Sequence, residues 1–557
     1  MPGAFADKIH DEAEMSEMLS GKLGTARKTT ILLGCLALSA LAVIASENIH
    51  AEGSRWWEDV SFLASDDMKG RMTGSAGYSA AAEYVADKFK KDGLKPAGPV
   101  GYFQPVQFKS HVVDEAYSSV HLVNGANETS LTLGEEVILR PAGNTAPQVD
   151  AGAVFVGYGM SVPDANYDDY AGQDLHGKVA VYLAGGSSTI KDPLRAHEES
   201  LGERWKAAKA AGAIGLAAIM NSANQEVPWS NIAANRGRAS LELADPELRK
   251  DQGMQIELTV NPEHAEEFFA GSGHTFAEVL AAAKAKQPLP KFPLAVKIQA
   301  KTKVDEKDVE APNIVGELEG SDPSLKNEFV IVSAHLDHLG IGAPVNGDEI
   351  YNGAMDNASG VAALIQIAHD FHDAKKKPKR SVIFLAVCGE EEGELGSWYF
   401  ANHPSVPKNQ IVADLNMDMF LPLFPLEYLQ VQGLDESTLG DDIRAAGQQE
   451  GVKVIEDEQP AANRFIRSDQ YSFVQVGVPA LAFKFGYAQG SPEEKIFSGW
   501  VHTRYHEPSD DTNQKVDHDA AGKFCHLIYD LADRVANDAS KPSWKPASFF
   551  RRFATGN

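Results

Sequence analysis

The chain has 557 residues and a formal net charge of −27 at pH 7. A surface this acidic repels phosphate backbones, so nucleic acid is excluded as an expected partner. The hydrophobic fraction of 43% and charged fraction of 23% are ordinary for a globular protein, and the length suffices for two or three domains. Three widely spaced cysteines indicate no disulfide framework.

Residues 1–51 are predicted to be a leader. Residues 31–45 form the only long apolar run of the sequence, with Arg27 and Lys28 before it and small residues after it. This is the pattern of a signal peptide, with possible cleavage after Ala45 or Ala51. Because the run is short for a spanning helix, we expect export to the periplasm or the extracellular space. An uncleaved membrane anchor through 31–45 is the alternative.

From about residue 311 onward, strand-like runs alternate with amphipathic helical patterns. Strands are expected at 329–333, 381–387, 411–415 and 478–483, and helices at 358–372 and 520–535. The alternation indicates an α/β fold with a mainly parallel central sheet flanked by helices. The block before it lacks clustered catalytic residue types, which favours an inserted, mostly-β domain. The predicted division is a leader at 1–51, a catalytic domain formed by the two segments 54–143 and 301–540, an inserted domain at 144–300 between them, and a tail at 541–557.

Five short segments, each at a strand end or in a loop, supply side chains that bind metal ions. Taken singly, each has an ordinary alternative, since His335 suits a surface or core histidine and Asp356 suits a helix N-cap. An acidic cluster at a helix N-terminus is the alternative for Glu390 and Glu391. The last two segments place Asp418 after an apolar strand and His502 and His506 in a turn-rich loop.

Together, these segments predict one site. Ligands of open α/β sheets lie beyond the carboxyl ends of the strands, where these residues fall. Two histidines and three carboxylates suit two Zn²⁺ ions that share one carboxylate. A further Glu beside a ligand Glu suits a general base. An extended chain also puts Asp337 on the same side as His335, where a carboxylate commonly orients a ligand imidazole.

The motifs also resemble a known family. His-x-Asp, Asp-Asn-Ala-Ser-Gly, Glu-Glu-x-Gly-x-x-Gly-Ser, Asp-Met and Tyr-His-x-Pro-Ser-Asp follow one another as in the co-catalytic di-zinc aminopeptidases, relatives of glutamate carboxypeptidase and the transferrin receptor. The resemblance covers roughly residues 56–535. Within the insert, Val-Phe-Val-Gly-Tyr-Gly at 154–159 resembles a protease-associated domain. Glu394 departs from the family pattern, which more often has an apolar residue there.

The resemblance implies a role for each matched residue. His335 and Asp418 would hold one zinc ion, and Glu391 and His506 the other, with Asp356 as the bridge. His506 is preferred to His502 because it precedes the Pro-Ser-Asp turn. Two catalytic roles complete the set, with Glu390 as the general base and Asp337 as the residue that orients His335.

The sequence therefore predicts a secreted aminopeptidase that acts on peptides or proteins with a free N-terminus, through water activated by two zinc ions. A carboxypeptidase or dipeptidase of a neighbouring di-zinc family is the first alternative. A glutaminyl cyclase with one zinc ion and a non-catalytic, receptor-like protein on the same fold are the others. The sequence leaves open the side-chain preference, the oligomeric state and the metal used in the cell.

Overall fold

The computed structural model describes residues 47–221, 228–459 and 464–555. The apolar run 31–45, on which the predicted leader depends, lies outside these residues. Within the described ranges, no helix combines the length and the apolar character needed to cross a membrane.

Fourteen helices of α type are described. In chain order they are α1 (47–63), α2 (Ala76–Lys91), α3 (Asp192–Glu199), α4 (Leu201–Ala210), α5 (Trp229–Ala234), α6 (Glu266–Phe269), α7 (Phe276–Lys284), α8 (Ser359–Asp373), α9 (Leu395–Asn402), α10 (Leu439–Gln449), α11 (Gln470–Gln475), α12 (Pro492–Thr503), α13 (His518–Asn537) and α14 (Arg551–Thr555).

The strands of the described ranges form two large sheets and two short hairpins. In chain order they are β1 (Lys95–Pro96), β2 (Phe103–Val113), β3 (Ser119–Asn124), β4 (Asn127–Leu131), β5 (Val137–Arg140), β6 (Gln148–Val156), β7 (Ser161–Val162), β8 (Tyr167–Asp168), β9 (Val179–Leu183), β10 (Gly215–Ile219), β11 (Ser240–Leu243), β12 (Ile256–Val260), β13 (Lys291–Lys301), β14 (Val304–Leu318), β15 (Phe329–His335), β16 (Gly340–Val345), β17 (Asp348–Tyr351), β18 (Ser381–Val387), β19 (Ile411–Asn416), β20 (Tyr428–Gln432), β21 (Lys453–Ile455) and β22 (Ala480–Gly486).

The larger sheet, which we call the central sheet, has the strand order β11-β2-β14-β18-β15-β19-β22-β20-β21, and β1 pairs with β14. Its middle strands β18, β15, β19 and β22 are parallel, whereas β2, β14 and β11 pair antiparallel at one margin and β20 joins β22 antiparallel at the other. The predicted α/β fold class is confirmed, with a mixed sheet whose parallel strands lie at its centre.

The middle of the central sheet is covered on both faces. Every residue of β15 and β18 is buried, as expected for parallel strands between layers of helices. Helix α8 packs its apolar face, which includes Leu364 and Ile367, into the same core as α13 with Leu527 and Leu531. The predicted helices at 358–372 and 520–535 and the four predicted strands are confirmed to within a few residues at their ends.

The smaller sheet, which we call the second sheet, has the strand order β4-β3-β13-β6-β9-β10-β12-β5. It contains four neighbouring parallel strands, β6, β9, β10 and β12, and its apolar residues form a separate core. Its strands span residues 119–301, so the chain changes sheets near 119, before the expected boundary at 144. The assignment of this region as a protease-associated domain stays a prediction.

A two-stranded ribbon connects the two sheets. Strands β2 and β14 pair antiparallel without interruption from Phe103 opposite Ile314 to Val113 opposite Val304. The chain leaves for the second sheet after Val113 and returns at Val304. Strand β11 lies between β10 and β12 in sequence, but it pairs with the free edge of β2 and so extends the central sheet.

Candidate metal centre

The predicted ligands come together beyond the carboxyl ends of the parallel strands of the central sheet. His335 is the last residue of β15, Glu390 and Glu391 follow β18, and Asp418 follows β19. Because these three strands are neighbours and parallel, their carboxyl ends lie side by side. His506 reaches the same place from the loop after α12.

Asp356 lies at the centre of the group, with its two oxygens directed at different histidines. Oδ1 is 3.4 Å from Nε2 of His335, and Oδ2 is 3.2 Å from Nε2 of His506. His335 Nε2 is also 3.4 Å from Oδ1 of Asp418, and His506 Nε2 is 3.2 Å from Oε2 of Glu391. All five predicted ligands therefore contact one another, directly or through Asp356.

The turn that carries Asp356 is held by Asp510. The backbone N–H groups of Met355 and Asp356 donate to the Asp510 carboxylate at 2.9–3.1 Å, and that of Ala354 donates to its carbonyl. Asp356 is buried, and α8 begins only at Ser359 with no side-chain cap. The helix N-cap alternative for Asp356 is therefore wrong, because its side chain faces the histidines, and the N–H of Gly360 in the first turn of α8 donates to Asn357 instead.

Asp337 differs in detail from the expected partner of His335. Its carboxylate oxygen Oδ1 is 4.0 Å from Nδ1 of His335, whereas its own carbonyl oxygen lies nearer, at 3.2 Å. The carboxylate instead accepts the backbone N–H groups of Glu390 at 3.2 Å and Glu391 at 3.4 Å. Asp337 thus contacts the imidazole through its backbone and fixes the acidic loop through its side chain.

The side chain of Glu390 faces the group without taking part in its closest contacts. Its Oε2 lies 3.9 Å from Nε2 of His335. The next acid, Glu392, points away and accepts the N–H of Leu241 at 3.1 Å. Of these three consecutive glutamates, Glu390 and Glu391 therefore face the histidines, and Glu392 holds strand β11.

His338 belongs to the site, although the sequence analysis gave it no role. Its Nδ1 lies 2.6 Å from Oε1 of Glu391 and 3.8 Å from Oδ2 of Asp356. Its side chain is fully buried, whereas that of His506 is 29% exposed. The signal that could have revealed it is the spacing His335-x-x-His338 directly after a buried strand.

Arg71 is a second residue that the sequence analysis left without a role. It is fully buried and donates four hydrogen bonds to backbone carbonyls, those of Leu63, Leu336, Asn352 and Gly353. The carbonyls of Leu336, Asn352 and Gly353 flank the loops that carry His338 and Asp356. The planar guanidinium thus joins two ligand-bearing loops to the segment before α2.

Burial and mutual attraction determine the protonation of the site. Burial alone would raise the pKa of Glu391, but His506 and His338 outweigh it and lower that pKa to about 2. The imidazoles likewise hold the pKa of Asp356 well below its usual value against the effect of burial. Burial lowers the pKa of His506, yet Glu391 and Asp356 raise it to about 10. Burial and the neighbouring carboxylates of Asp418 and Asp469 raise the pKa of Glu390 well above its usual value.

The second-sheet region reaches the rim of the site. Asn231 on α5 donates to the Glu507 carboxylate at 2.8 Å, next to His506. The guanidinium of Arg238 lies 5.7 Å from the ring centre of Tyr351 and is attracted by Glu392 and Glu391. The acidic loop and the loop of His506 are therefore both in contact with segment 231–241.

Comparison with known proteins agrees with this geometry. Residues 313–532 match the model of Peptidase family M28. A "Probable zinc metalloprotease" of Pyrenophora tritici-repentis (strain Pt-1C-BFP) is 32% identical over 111 residues, which are 20% of this chain and 24% of the relative. "Carboxypeptidase Q" of Xenopus laevis is 29% identical over 122 residues, 22% of this chain and 24% of the relative. The chain thus spans about a quarter of the length of these curated relatives.

One solved structure is similar over nearly all of its length. The aminopeptidase from Aneurinibacillus sp. strain AM-1 superimposes with a TM-score of 0.55 and 19% identity, over 90% of this chain and 99% of that chain. At this identity the likeness concerns the fold. Residues 313–532, which hold every candidate ligand, are therefore similar to peptidase family M28.

Proposed function

We propose that this protein is an exported, zinc-dependent aminopeptidase that hydrolyses N-terminal peptide bonds. The observation that carries the proposal is the position of Asp356, whose two oxygens face His335 at 3.4 Å and His506 at 3.2 Å. A carboxylate between two sets of ligands is what a pair of metal ions requires.

The residues fit two zinc ions by number, chemistry and position. One set, His335, Asp356 and Asp418, has one ligand atom from each residue within 4.8 Å of the others. Asp356 and Glu391 form a second set with either of two histidines. His338 has a ligand atom within 4.8 Å of theirs, and Nε2 of His506 is 3.2 Å from an oxygen of each. Mixed nitrogen and oxygen donors suit zinc, and buried carboxylates in mutual contact call for cations to offset their desolvation. We assign His506 as the second histidine, and His338 as the residue that orients Glu391.

Two zinc ions held by these residues would supply Lewis acidity and would lower the pKa of a bound water molecule. Glu390 takes the proton of the attacking water on its carboxylate and passes it to the nitrogen of the leaving amine. The two N–H bonds to Asp337 hold the backbone of Glu390 and Glu391 in place for this transfer. The free amine of the substrate is attracted by the surrounding carboxylates, which favours cleavage of the first peptide bond.

A carboxypeptidase is the second candidate, because one of the relatives is called carboxypeptidase Q. The two activities differ in which end of a peptide must be free. The purified protein is assayed with leucine 4-nitroanilide, with its Nα-acetylated form and with an Nα-acetylated peptide that has a free C-terminus. We expect hydrolysis of the first compound alone, its loss on treatment with a chelator and its recovery with Zn²⁺. Cleavage of the acetylated peptide in its place would favour the carboxypeptidase.

The general base has its own test and a matched control in the same loop. Glu390→Gln should lower kcat by roughly 10²- to 10⁴-fold while the zinc content stays unchanged. Glu392→Gln keeps an oxygen for the N–H of Leu241 and should keep most of the activity. Near-normal turnover by the Glu390 variant would contradict the assignment.

Export and the role of the insert complete the proposal. We propose that the leader is cleaved after Ala45 or Ala51 and that the insert, a protease-associated domain, shapes access to the site. The contacts of Asn231 with Glu507 and of Leu241 with Glu392 support the second point. N-terminal sequencing of the protein from the periplasmic and extracellular fractions tests the first, and an intact N-terminus in the membrane fraction alone would contradict it.

A further inference from the structure

A pocket beside the candidate metal centre has an unusual concentration of positive charge. Asp418 and Tyr505 both line it, and the ring of Tyr505 stacks on His506 at 3.9 Å between ring centres. Three cations line it, namely Lys484, Arg464 and Arg467. Asp418 is the one acid among the lining residues that the structure describes. In a chain with a net charge of −27, such a cluster of cations suggests a site for an anionic group.

Lys484 lines this pocket and is almost fully buried. It is 7% exposed, and its ammonium group donates to the carbonyls of Asp418 at 3.1 Å and Met419 at 3.5 Å. An ammonium group has three N–H donors. Within the described residues, one donor therefore remains for a partner in the pocket.

Gln432 is a second donor that points to a missing acceptor. It is 3% exposed, lines the same pocket, and its side-chain N–H₂ group has no partner among the described residues. A buried amide nitrogen without an acceptor is costly. In the pairing of β20 with β22, Gln432 lies opposite Ala482 and Gln430 opposite Lys484, so Gln432 and Lys484 share one face of the sheet. A single acceptor group between them would satisfy both.

The walls limit what this acceptor belongs to. Phe483, Phe497 and Val501 also line the pocket and give it an apolar surface beside the two donors. A short apolar stem that ends in a carboxylate fits such a lining, because its methylene groups contact the aromatic rings and its charge meets the cations.

We propose that this pocket binds the side-chain carboxylate of the substrate's N-terminal residue, so that the enzyme prefers N-terminal glutamate or aspartate. This inference rests on the proposed aminopeptidase function, in which the side chain next to the scissile carbonyl lies beside the metal centre. Lys484 and Gln432 contact the carboxylate, and Arg464 and Arg467 contribute positive charge.

The test compares two substrates of nearly equal shape. We expect kcat/KM for the 4-nitroanilide of L-glutamate to exceed that for the 4-nitroanilide of L-glutamine by roughly 10- to 100-fold, because hydrogen bonds to a charged group are the stronger ones. The leucine compound measures general aminopeptidase activity. A glutamate-to-glutamine ratio of one or less in an enzyme that hydrolyses the leucine compound overturns this inference and leaves the proposed function standing.

Variants assign the preference to the pocket. Lys484→Met should bring the ratio close to one, and Gln432→Leu, which leaves the carbonyls of Asp418 and Met419 with their lysine, should reduce it roughly five- to twentyfold. Arg444→Gln, which removes an arginine on α10 outside the pocket, is the matched control and should leave the ratio unchanged. An unchanged ratio in both pocket variants contradicts the proposal.

A binding measurement separates failure of the inference from failure of the proposed function. Calorimetry with the zinc-loaded protein should show binding of free L-glutamate, weaker binding of L-glutamine and a smaller difference between the two in Gln432→Leu. If none of the nitroanilides is hydrolysed, the proposed function fails while this measurement still tests the pocket. Equal affinity for the two amino acids overturns the inference. The inference is also overturned if the enzyme cleaves Nα-acetylated peptides at their free C-terminus and the pocket variants lose this activity. The pocket would then bind the C-terminal carboxylate of the substrate.

Discussion

The central sheet and the second sheet share a backbone arrangement but differ at their carboxyl edges. Each contains four neighbouring parallel strands. In the central sheet the residues at and after these strand ends include His335, Glu391 and Asp418. In the second sheet the residues directly after the strands are neutral, such as Asn261 after β12, and Glu263 and His264 lie three and four residues beyond the end of that strand. The strand arrangement therefore provides an edge where a site can form, and the side chains decide whether one does.

The two edges also satisfy their polar groups in different ways. Asn261 is buried and completes its hydrogen bonds locally, donating to the carbonyl of Glu135 at 2.8 Å and accepting the N–H of Glu263 at 3.1 Å. At the central edge, buried carboxylates and imidazoles contact one another. Burying these charges is costly without cations, so we expect metal binding at the central edge to affect both stability and activity. In the second sheet we expect stability to be independent of activity.

Removing the shared carboxylate of the central edge should give the largest effect. In Asp356→Ala we expect the zinc content to fall from about two ions per chain to nearly none, since both sites lose a ligand. Activity should fall below detection. Elemental analysis of the dialysed protein measures the content. Retention of two ions would show that Asp356 does not bridge them, and the contrast between the two edges would lose its physical basis.

The two histidines near Glu391 should differ in their effects on the metal. His506→Ala should leave about one zinc ion per chain, because a ligand is lost. His338→Ala should keep both ions but weaken the second by roughly 10- to 100-fold, as expected for a residue that orients a ligand. Zinc titration against a competing chelator separates the two results. Loss of one zinc ion in His338→Ala, with both ions kept in His506→Ala, would show that His338 is the ligand.

The smallest effect is expected for a buried acid of the second-sheet region. Asp169 is 4% exposed and accepts hydrogen bonds from the N–H groups of Tyr158 and Met160 and from the hydroxyl of Tyr167. Burial raises its pKa from 3.8 to about 6, although these bonds oppose the rise. The folded protein therefore holds a proton between pH 4 and 6 that the unfolded chain has released, so this group makes the protein less stable as pH rises through that range.

Asp169→Asn removes this titration. Relative to wild type, the variant should gain stability on the order of 2 kcal/mol as pH rises from about 4 to about 7. Denaturant unfolding at several pH values measures the change, and kcat for the leucine compound should stay the same. Parallel stability curves for the two proteins would contradict the expectation, and a loss of zinc would mean that the two regions are not independent.

The sequence predicted the regions of the molecule in which local pattern and burial agree. The strands β15 and β18 are continuous apolar runs, and α8 and α13 have a clear apolar face, so each was found close to its observed bounds. The five ligand residues were identified because charged and imidazole side chains close to the ends of buried strands are costly to desolvate unless they bind a cation. Their roles at a metal centre stay a prediction.

Other features were not visible because they depend on contacts between distant segments. Strand β14 begins with a charged, exposed stretch that has no apolar pattern, and its pairing with β2 defines it. Arg71 has no motif of its own, since its four acceptors come from segments up to 282 residues away in the chain. Lys484 and Gln432 come together only through the pairing of β20 with β22.

The ribbon of β2 and β14 has a consequence for how the chain can be divided. Val113 and Val304 are cross-strand partners, so the polypeptide departs from the catalytic half and rejoins it at neighbouring points. Closing the catalytic half therefore needs only a short hairpin turn, and the excursion between these residues adds little constraint to its topology. A chain shortened in this way would keep every candidate zinc ligand and the glutamate pocket, and would lose β11 and the contacts of Asn231 and Leu241 at the rim. Its activity would thus show how the metal centre works without the contacts that the insert makes at its rim.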